Sequence, residues 1–482
     1  MRRGRLVVHG HFYQPERRDP FSGLIPVDPA AAPYPDWTSR IADECYGPNA
    51  ERGNFSRISW NIGPALASWL RTERPRTHEL IRKQASADTG IATAFHHTIL
   101  PLASPRDRRT EIRWGLRDFE LRFGRRPVGL WLPETAVDRL TLRICAEEGV
   151  RYTILAPWQA AVENLDPRRP YEVDLGEGHR IVVMFYHRGL STAVSFDPSA
   201  TTDADRFVRD HVRPTLDPRF ADRVLPTALV ATDGELYGHH QQFRDLFLAR
   251  LTSARYGGVE RAALPALLER DASPGALRTG RAPEIQVRDA TSWSCLHGIA
   301  RWSAECPDTR DGRWKQPLRA ALDRLAAGID AVAEREARQL GVDLWAARDG
   351  WVQVASGYAA PSTAVHEVLA SATQGAPARA AAAARDPATA ACLETLLTAQ
   401  ASRLSMYASD AWFWEDPSRP ETAQAMRFAG HAARLVDGVA GTALERSLVA
   451  DLEPLTSPLT GADGAALYRK ALALVDQPAP RA

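Results

Sequence analysis

Acidic and imidazole side chains lie at the ends of several short apolar runs in this sequence of 482 residues. Asp233 and Glu235 come after LVAT, Glu134 comes after GLWLP, and His9 and His11 follow RLVV. If these runs are parallel strands, their carboxyl ends surround one pocket. Two carboxylates that meet there can act as the nucleophile and the acid of a retaining glycosidase, because nearby negative charges push their pKa values apart. One such residue alone is more often a helix cap, so it is the recurrence that indicates a site.

Histidine and aromatic residues extend the same pattern. His96 and His97 end a fourth run, IATAF. Six aromatic residues also lie in or beside the runs: Trp131, Trp158, Tyr186, Tyr237, Trp293 and Trp302. Flat apolar faces with a polar edge suit sugar rings, although core packing is the alternative for each of them.

The elements that must position these residues alternate along the first 300 residues. Seven mostly apolar runs predict strands at 5–10, 91–96, 128–134, 152–157, 181–187, 227–235 and 284–293. Helical spacing falls between them at 60–84, 110–124, 135–149, 203–213 and 239–252. Continuous rather than alternating apolar residues are typical of strands that are covered on both faces. The pattern therefore predicts an α/β barrel or a doubly wound sheet.

The strand signal ends at about residue 305. Helical spacing then continues over 313–341, 389–414 and 420–440, around a low-complexity segment at 374–388. We therefore predict a catalytic α/β domain over 1–305 and an all-α domain over 306–482.

Composition excludes several classes of protein. A formal net charge of +1 gives no strong field to attract nucleic acid or an anionic membrane. The five cysteines form no CxxC pair, which argues against a disulfide scaffold or a structural zinc site. The apolar stretch before His9 is too short for a signal peptide, and no run approaches the ~20 residues of a membrane span. We expect a cytoplasmic protein with no nucleic-acid or membrane partner.

Several motifs together resemble a known family. HGHFYQP, FHHTILPL, GLWLPETAV and ATDGELYGHH, at 9–15, 95–102, 129–137 and 231–240, are similar in content and order to the conserved regions of glycoside hydrolase family 57. SWSCLHGIARW (292–302) and the segment 406–429 resemble a bacterial subfamily with a helical C-terminal domain of unassigned function. The resemblance implies a (β/α)7 barrel followed by an all-α domain. It also implies a retaining mechanism on an α-linked glucan, without a metal or other cofactor.

The resemblance also assigns roles to individual residues. Glu134 would be the nucleophile, and Asp233 would be the general acid and base. The resemblance and the strand-end pattern together predict a set of substrate-binding residues. These are His9, His11, Gln14, His96, His97, Trp131, Trp158, Glu235, Tyr237, His239, Trp293 and Trp302. Which of His96 and His97 faces the site stays open, as does the choice among hydrolysis, glucan transfer and branching.

Two other readings of the motifs remain. His9 and His11 could begin a metal site completed by Asp233 with His239 or His240, as in an amidohydrolase or a polysaccharide deacetylase. That reading leaves GLWLPE unexplained. Alternatively, a barrel with these aromatic residues could bind glucan without turning it over.

Overall fold

The computed structural model describes residues 4–216, 225–268, 282–372 and 386–473. The chain forms two compact units, and each is assembled from separate segments. The first unit comprises Met1–Gln14, Val27–Phe95 and Phe119–Leu296, and the second comprises Pro15–Pro26, His96–Asp118 and His297–Ala482. The sequence predicted one boundary at 305 and did not anticipate that segments near residues 20 and 100 belong with the C-terminal part.

The strands of the described residues lie in the first unit. They are β1 Gly4–Phe12, β2 Ser59–Ile62, β3 Ala92–Thr93, β4 Leu130–Trp131, β5 Tyr152–Leu155, β6 Pro170–Gly176, β7 His179–Phe185, β8 Thr227–Asp233 and β9 Val259–Arg261. Parallel pairing joins β8 to β1, β1 to β2, β3 to β4 and β5 to β7. Two further strands add to these pairs: β6 pairs antiparallel with β7, and β9 pairs with the first residues of β1.

Further hydrogen bonds connect these pairs into a ring. Parallel bridges from Trp60 to Gly90 and from Gly129 to Tyr152 link β2 to β3 and β4 to β5. The amide of His187, just after β7, donates to the carbonyl of Leu229 in β8 at 2.7 Å. The order β1-β2-β3-β4-β5-β7-β8 therefore closes on itself, and the predicted (β/α)7 barrel is confirmed.

The interior of the ring explains why the strands read as continuous apolar runs. Side chains from six of its strands or their ends pack together: Val7, Ile91, Trp131, Tyr152, Ile154, Ala156, Met184, Tyr186, Leu229 and Ala231. Helices cover the outside of such a ring, so strand residues are buried on both faces. In β1, eight of nine residues are buried.

The chain contains α-helices in both units. Those before residue 296 are Trp37–Ile41, Gly47–Glu51, Pro64–Glu73, Pro75–Gln84, Pro105–Phe123, Arg139–Glu147, Arg188–Phe196, Ala204–Phe207, Arg213–Thr215 and Arg244–Ser253. Those after it are Lys315–Gln339, Leu344–Gly350, Val352–Ala355, Pro361–Ala372, Pro387–Ser405, Asp410–Phe413, Pro420–Ala440, Leu444–Leu452 and Gly464–Ala473. In the described parts of the chain, no helix combines the length and the apolar character required to cross a bilayer.

Two sequence predictions about elements were wrong. The segment 60–84 is not one helix, because β2 occupies its start and the first helix begins only at Pro64. The segment 284–293 is not a strand but a loop that makes three single bridges. Strand β2 is therefore the ring member that the sequence missed. Most of the low-complexity segment 374–388 lies outside the described residues.

A buried ion network stabilises the second unit. Arg348 is fully buried and donates to Asp107 at 2.9 Å. Arg403 donates to the other oxygen of Asp107 at 2.6 Å and to Asp330 at 2.7 Å. Burial alone would raise the pKa of Asp107, but the charges of Arg403 and Arg348 outweigh it and lower the pKa. The carboxylate thus compensates two guanidinium groups that are largely removed from water.

Replacing Asp107 with Asn tests this network. The substitution keeps the volume but leaves Arg348 buried without its counter-charge, so the free energy of unfolding should fall by about 3 kcal/mol. Urea denaturation followed by circular dichroism measures the change. The matched control is Asp210→Asn, which removes an exposed partner of Arg209 and should change stability by less than about 0.5 kcal/mol. Equal effects of the two substitutions would contradict the role assigned to Asp107.

Candidate active site

A pair of neutral histidines lies where β1 and β2 end. The parallel register places His9 opposite Ser59 and His11 opposite Asn61. Nδ1 of His9 lies 2.9 Å from Oγ of Ser59, and the Asn61 amide lies 3.2 Å from Nε2 of His9 and 2.9 Å from Nδ1 of His11. Burial lowers the pKa of His9 to about 3 and that of His11 to about 4. Both imidazoles are therefore uncharged at neutral pH and act as neutral hydrogen-bonding groups.

Trp131 forms the floor beneath these histidines. Its ring stacks on His9 at 4.8 Å and on His11 at 5.0 Å between centroids. The side chain is fully buried in the barrel interior. The prediction that Trp131 contacts sugar directly therefore has to be revised, because no face of the ring is left for a ligand. Its contacts instead fix the orientation of the two imidazoles.

Glu134 follows β4 in a strained backbone conformation. Its φ of 55° and ψ of 19° lie in the left-handed region, which is uncommon outside glycine. Trp293 donates from Nε1 to Oε2 of Glu134 at 3.2 Å and from its backbone amide to the Glu134 carbonyl at 3.0 Å. Ser294 donates from Oγ to the same Oε2 at 2.5 Å. Two donors on one carboxylate oxygen favour the ionised form.

Asp233 is the last residue of β8 and lies opposite His11 in the register. The residue is exposed to solvent, although protein atoms surround its carboxyl group closely enough to disfavour the charged form. This enclosure, followed by the negative charge of Glu134, raises the pKa of Asp233 to about 7. A large fraction of Asp233 is thus protonated at neutral pH. The next residue has to be glycine, because a Cβ on Gly234 would overlap the ring of Phe12.

Glu235 is a second acid with a raised pKa. It is buried, and Oε1 accepts hydrogen bonds from the Tyr46 hydroxyl at 2.6 Å and from the Tyr13 amide at 3.1 Å. Burial is the main reason that its pKa rises to about 8, and the charge of Asp233 adds to the effect. The predicted ligand Gln14 is also buried and hydrogen-bonds to Tyr46. Glu235 is therefore a neutral carboxylic acid that ties β1 to the turn after β8.

Three aromatic side chains form a series of edge-on contacts that starts at Trp293, the hydrogen-bond donor to Glu134. Trp293 lies edge-on to His11 at 6.1 Å and to Tyr186 at 6.4 Å, and Tyr186 lies edge-on to Trp158 at 6.0 Å. The negative charge of Asp233 contributes to raising the pKa of the Tyr186 hydroxyl, which places that ring beside the acid. Trp158 and Trp293 are only partly buried. They are the predicted aromatic residues that keep surface available for a sugar ring.

Two further predicted residues of the first unit have structural partners. Tyr237 is fully buried, and its hydroxyl accepts a hydrogen bond from Thr232 at 3.4 Å. His239 is mostly buried, with Nδ1 2.5 Å from Oε2 of Glu44. Tyr237 was predicted to contact sugar directly. Because it is buried, that prediction is revised, and the ring packs behind the turn that follows β8. Because His239 faces Glu44, it does not join His9 in the metal site that the alternative reading required.

The remaining predicted residues belong to the second unit. His96 pairs with Glu111 at 2.7 Å, and Nδ1 of His97 lies 2.7 Å from Oγ of Ser409. Trp302 is fully buried, so its predicted contact with substrate is revised to core packing. Substrate roles for His96 and His97 stay predictions.

Sequence reasoning missed the residues that hold the catalytic candidates. Ser59 and Asn61 went unnoticed because their strand is four residues long and was read as the start of a helix. Gly63 and Pro64 were the available signal, since Pro is favoured at the first position of a helix and so marks where the strand has ended. Tyr46 lies in no motif, and Ser294 lies in SWSCLHGIARW (292–302) without a role assigned to it there, so only the fold brings them to Glu235 and Glu134.

Comparisons with known proteins agree with this arrangement. Residues 38–263 match the family model described as glycosyl hydrolase family 57, and residues 311–476 match a domain of unknown function, DUF3536. No curated protein matches the sequence. Among solved structures, the chain is similar to an exo-type maltose-forming amylase from Pyrococcus sp. ST04, with a TM-score of 0.70, 15% identity, and coverage of 97% of this chain and 88% of that chain.

Two other solved structures share the fold. A branching enzyme from Thermococcus kodakaraensis has a TM-score of 0.59 and 17% identity, with 98% of this chain and 94% of that chain covered. An alpha-amylase from Thermotoga maritima has a TM-score of 0.56 and 14% identity, with 97% and 99% covered.

The protonation of Glu235 can be tested through stability. Its pKa of about 8 in the folded protein exceeds the ~4.3 of an unfolded glutamate, so folding takes up a proton between these pH values. Stability should therefore decrease as pH rises through this window, by up to about 1.4 kcal/mol per pH unit. Glu235→Gln mimics the neutral acid and has no proton to take up. Its unfolding free energy, relative to the unsubstituted protein, should increase from pH 5 to pH 8 in urea titrations.

The companion variant Glu235→Ala removes the acceptor for Tyr46 and Tyr13, so it should be destabilised at every pH. A constant difference between Glu235→Gln and the unsubstituted protein across this range would show that Glu235 is ionised in the fold.

Proposed function

Because residues 38–263 belong to glycosyl hydrolase family 57, we propose that the chain is a retaining enzyme that cleaves α-linked glucan through a covalent glycosyl intermediate. The observation that carries the proposal is the unequal state of two acids at one end of the barrel. Glu134 accepts hydrogen bonds on its carboxylate, whereas enclosure and the charge of Glu134 keep a proton on Asp233. A retaining glycosidase requires one ionised and one protonated carboxyl group.

The first half of the reaction forms the intermediate. A carboxylate oxygen of Glu134 attacks the anomeric carbon as the bond from that carbon to the glycosidic oxygen breaks. Asp233 donates its proton to the departing oxygen, so the leaving sugar departs as a neutral alcohol. The products are an ester between Glu134 and the sugar, and an ionised Asp233.

The second half releases the sugar. Asp233, now a base, removes a proton from water or from a hydroxyl of a second glucan, and that oxygen attacks the anomeric carbon. The ester bond breaks and Glu134 regains its negative charge. Two inversions at the same carbon retain the α configuration. Water as the acceptor gives hydrolysis, and a sugar hydroxyl gives transfer or branching.

The choice of an α-glucan as substrate rests on two kinds of support. Trp158 and Trp293 present partly exposed aromatic faces beside the acids, and His11 is a neutral hydrogen-bonding group next to them. The solved structures of similar fold are a maltose-forming amylase, a branching enzyme and an alpha-amylase. A polymer of α-linked glucose is the substrate class consistent with both.

Azide rescue of alanine variants separates the two catalytic roles. Glu134→Ala and Asp233→Ala should each lower turnover of an α-glucosyl fluoride by about 10²-fold or more, and azide should restore part of it. In Glu134→Ala, azide attacks the substrate directly and yields the inverted β-glycosyl azide. In Asp233→Ala, azide attacks the intermediate on Glu134 and yields the retained α-glycosyl azide. Nuclear magnetic resonance of the products measures the configuration.

The control for these variants is Glu163→Ala, which removes an exposed acid of the same unit and should leave turnover unchanged. Product analysis with maltoheptaose and glycogen then identifies the acceptor. Identical azide products from both variants, or near-normal turnover in either, would refute the assignment of roles.

The raised pKa of Asp233 predicts the pH dependence. The acid acts only when protonated, so kcat/KM should fall as pH rises through about 7. Part of the shift comes from the charge of Glu134. In azide-rescued Glu134→Ala that charge is absent, so the alkaline limb should move to lower pH. Rates measured from pH 5 to pH 9 with a substrate whose leaving group still needs a proton test both statements, and an alkaline limb that stays in place would contradict them.

A further inference from the structure

Side chains of metal-ligating type converge in the segment that precedes the Lys315–Gln339 helix. In the second unit, the ligand atoms of His297, Cys306 and Asp308 all lie within 4.8 Å of one another. Nδ1 of His297 lies 3.0 Å from Oδ2 of Asp308. Cys306 is buried, whereas His297 and Asp308 are 41% and 42% exposed. One buried sulfur and two accessible nitrogen and oxygen donors thus face the same point.

The chain supplies these donors in two closely spaced pairs. One residue separates Cys306 from Asp308, and the turn between them is closed by a hydrogen bond from the Thr309 amide to the Cys306 carbonyl at 2.9 Å. Cys295 likewise precedes His297 by two positions. The lack of CxxC pairs argued against a structural zinc site, but that argument did not consider Cys-x-His and Cys-x-Asp pairs as ligands.

The chemistry of this set indicates a particular class of ion. Thiolate, imidazole and carboxylate are the ligands that Zn²⁺ takes, at about 2.0–2.3 Å. Tetrahedral coordination at those bond lengths requires ligand atoms about 3.3–3.8 Å apart, so only a small contraction of the present arrangement is needed. Sulfur ligands disfavour Ca²⁺ and Mg²⁺, which prefer oxygen.

We propose that His297, Cys306 and Asp308, all of which belong to the second unit, bind a zinc ion. The ion would fix the segment from His297 to Asp308, which precedes the Lys315–Gln339 helix. This proposal concerns metal binding and stands independently of the proposed reaction.

Metal analysis of the full chain tests the proposal. Protein produced with zinc supplementation and dialysed against metal-free buffer should retain about one zinc per chain, while Cys306→Ser should retain far less. The matched control is Cys392→Ser, which removes a half-buried cysteine from the Pro387–Ser405 helix and should keep the metal. Replacing zinc with cobalt in the unsubstituted protein should produce the absorption bands of cobalt–thiolate coordination, a readout that does not depend on whether Cys306→Ser folds.

The alternative is that Cys306 forms a disulfide with Cys295 and does not bind metal. A disulfide between Cys295 and Cys306 in protein purified without reductant, detected by peptide mass spectrometry, would overturn the proposal. Zinc content well below one per chain together with the absence of cobalt–thiolate bands would overturn it as well. Chelation should lower the melting temperature of the unsubstituted protein and leave that of Cys306→Ser unchanged.

Discussion

The site depends on how the fold treats two carboxyl groups that it encloses together. Enclosure disfavours a negative charge on either group, and the charge on one makes the second charge still more costly. Hydrogen bonds from Trp293 and Ser294 decide which group stays ionised, because they are donated to Glu134. Asp233 then carries the proton, as its pKa of about 7 reflects. The difference between the two acids thus arises from their surroundings, since the two side chains differ by a single methylene.

The uncharged neighbours of these acids are part of the same arrangement. A cation beside Asp233 would stabilise its ionised form and abolish the raised pKa. The fold instead places imidazoles there in a setting where burial keeps them neutral, stacked on Trp131 and hydrogen-bonded to Asn61. The neutral acid Glu235 connects β1 to the turn after β8 without adding a negative charge at neutral pH. Polar groups can therefore bind a sugar at this end of the barrel while the proton on Asp233 is preserved.

The apolar runs predicted a barrel or a doubly wound sheet with the two acids at strand ends, and the family resemblance selected the barrel. Buried strands such as β1 and β8 read as apolar runs, and the residues at their carboxyl ends are necessarily at the same end of a parallel barrel. Strand β2 escaped because its residues, Ser59–Ile62, alternate between polar and apolar and so form no continuous apolar run. The segment 284–293 was wrongly predicted to be a strand. Its single bridges and its contacts with Glu134 favour an extended chain, but it forms no continuous ladder. Contacts between residues far apart in sequence, such as Tyr46 with Glu235, leave no local pattern to detect.

Burial alone does not determine the ionisation of an acid in this chain, and a comparison within it shows what does. Asp107 and Asp233 are the same residue type, and desolvation by the surrounding protein acts to raise the pKa of both. Two arginines reach Asp107, and its pKa is lowered despite burial. At Asp233 the two causes of the shift, enclosure and the charge of Glu134, act in the same upward direction. The first arrangement yields a permanent charge that holds helices together, and the second yields a proton that can be given away. The charge of the nearest neighbours therefore separates a carboxylate that stays ionised from a carboxyl group that can carry a proton.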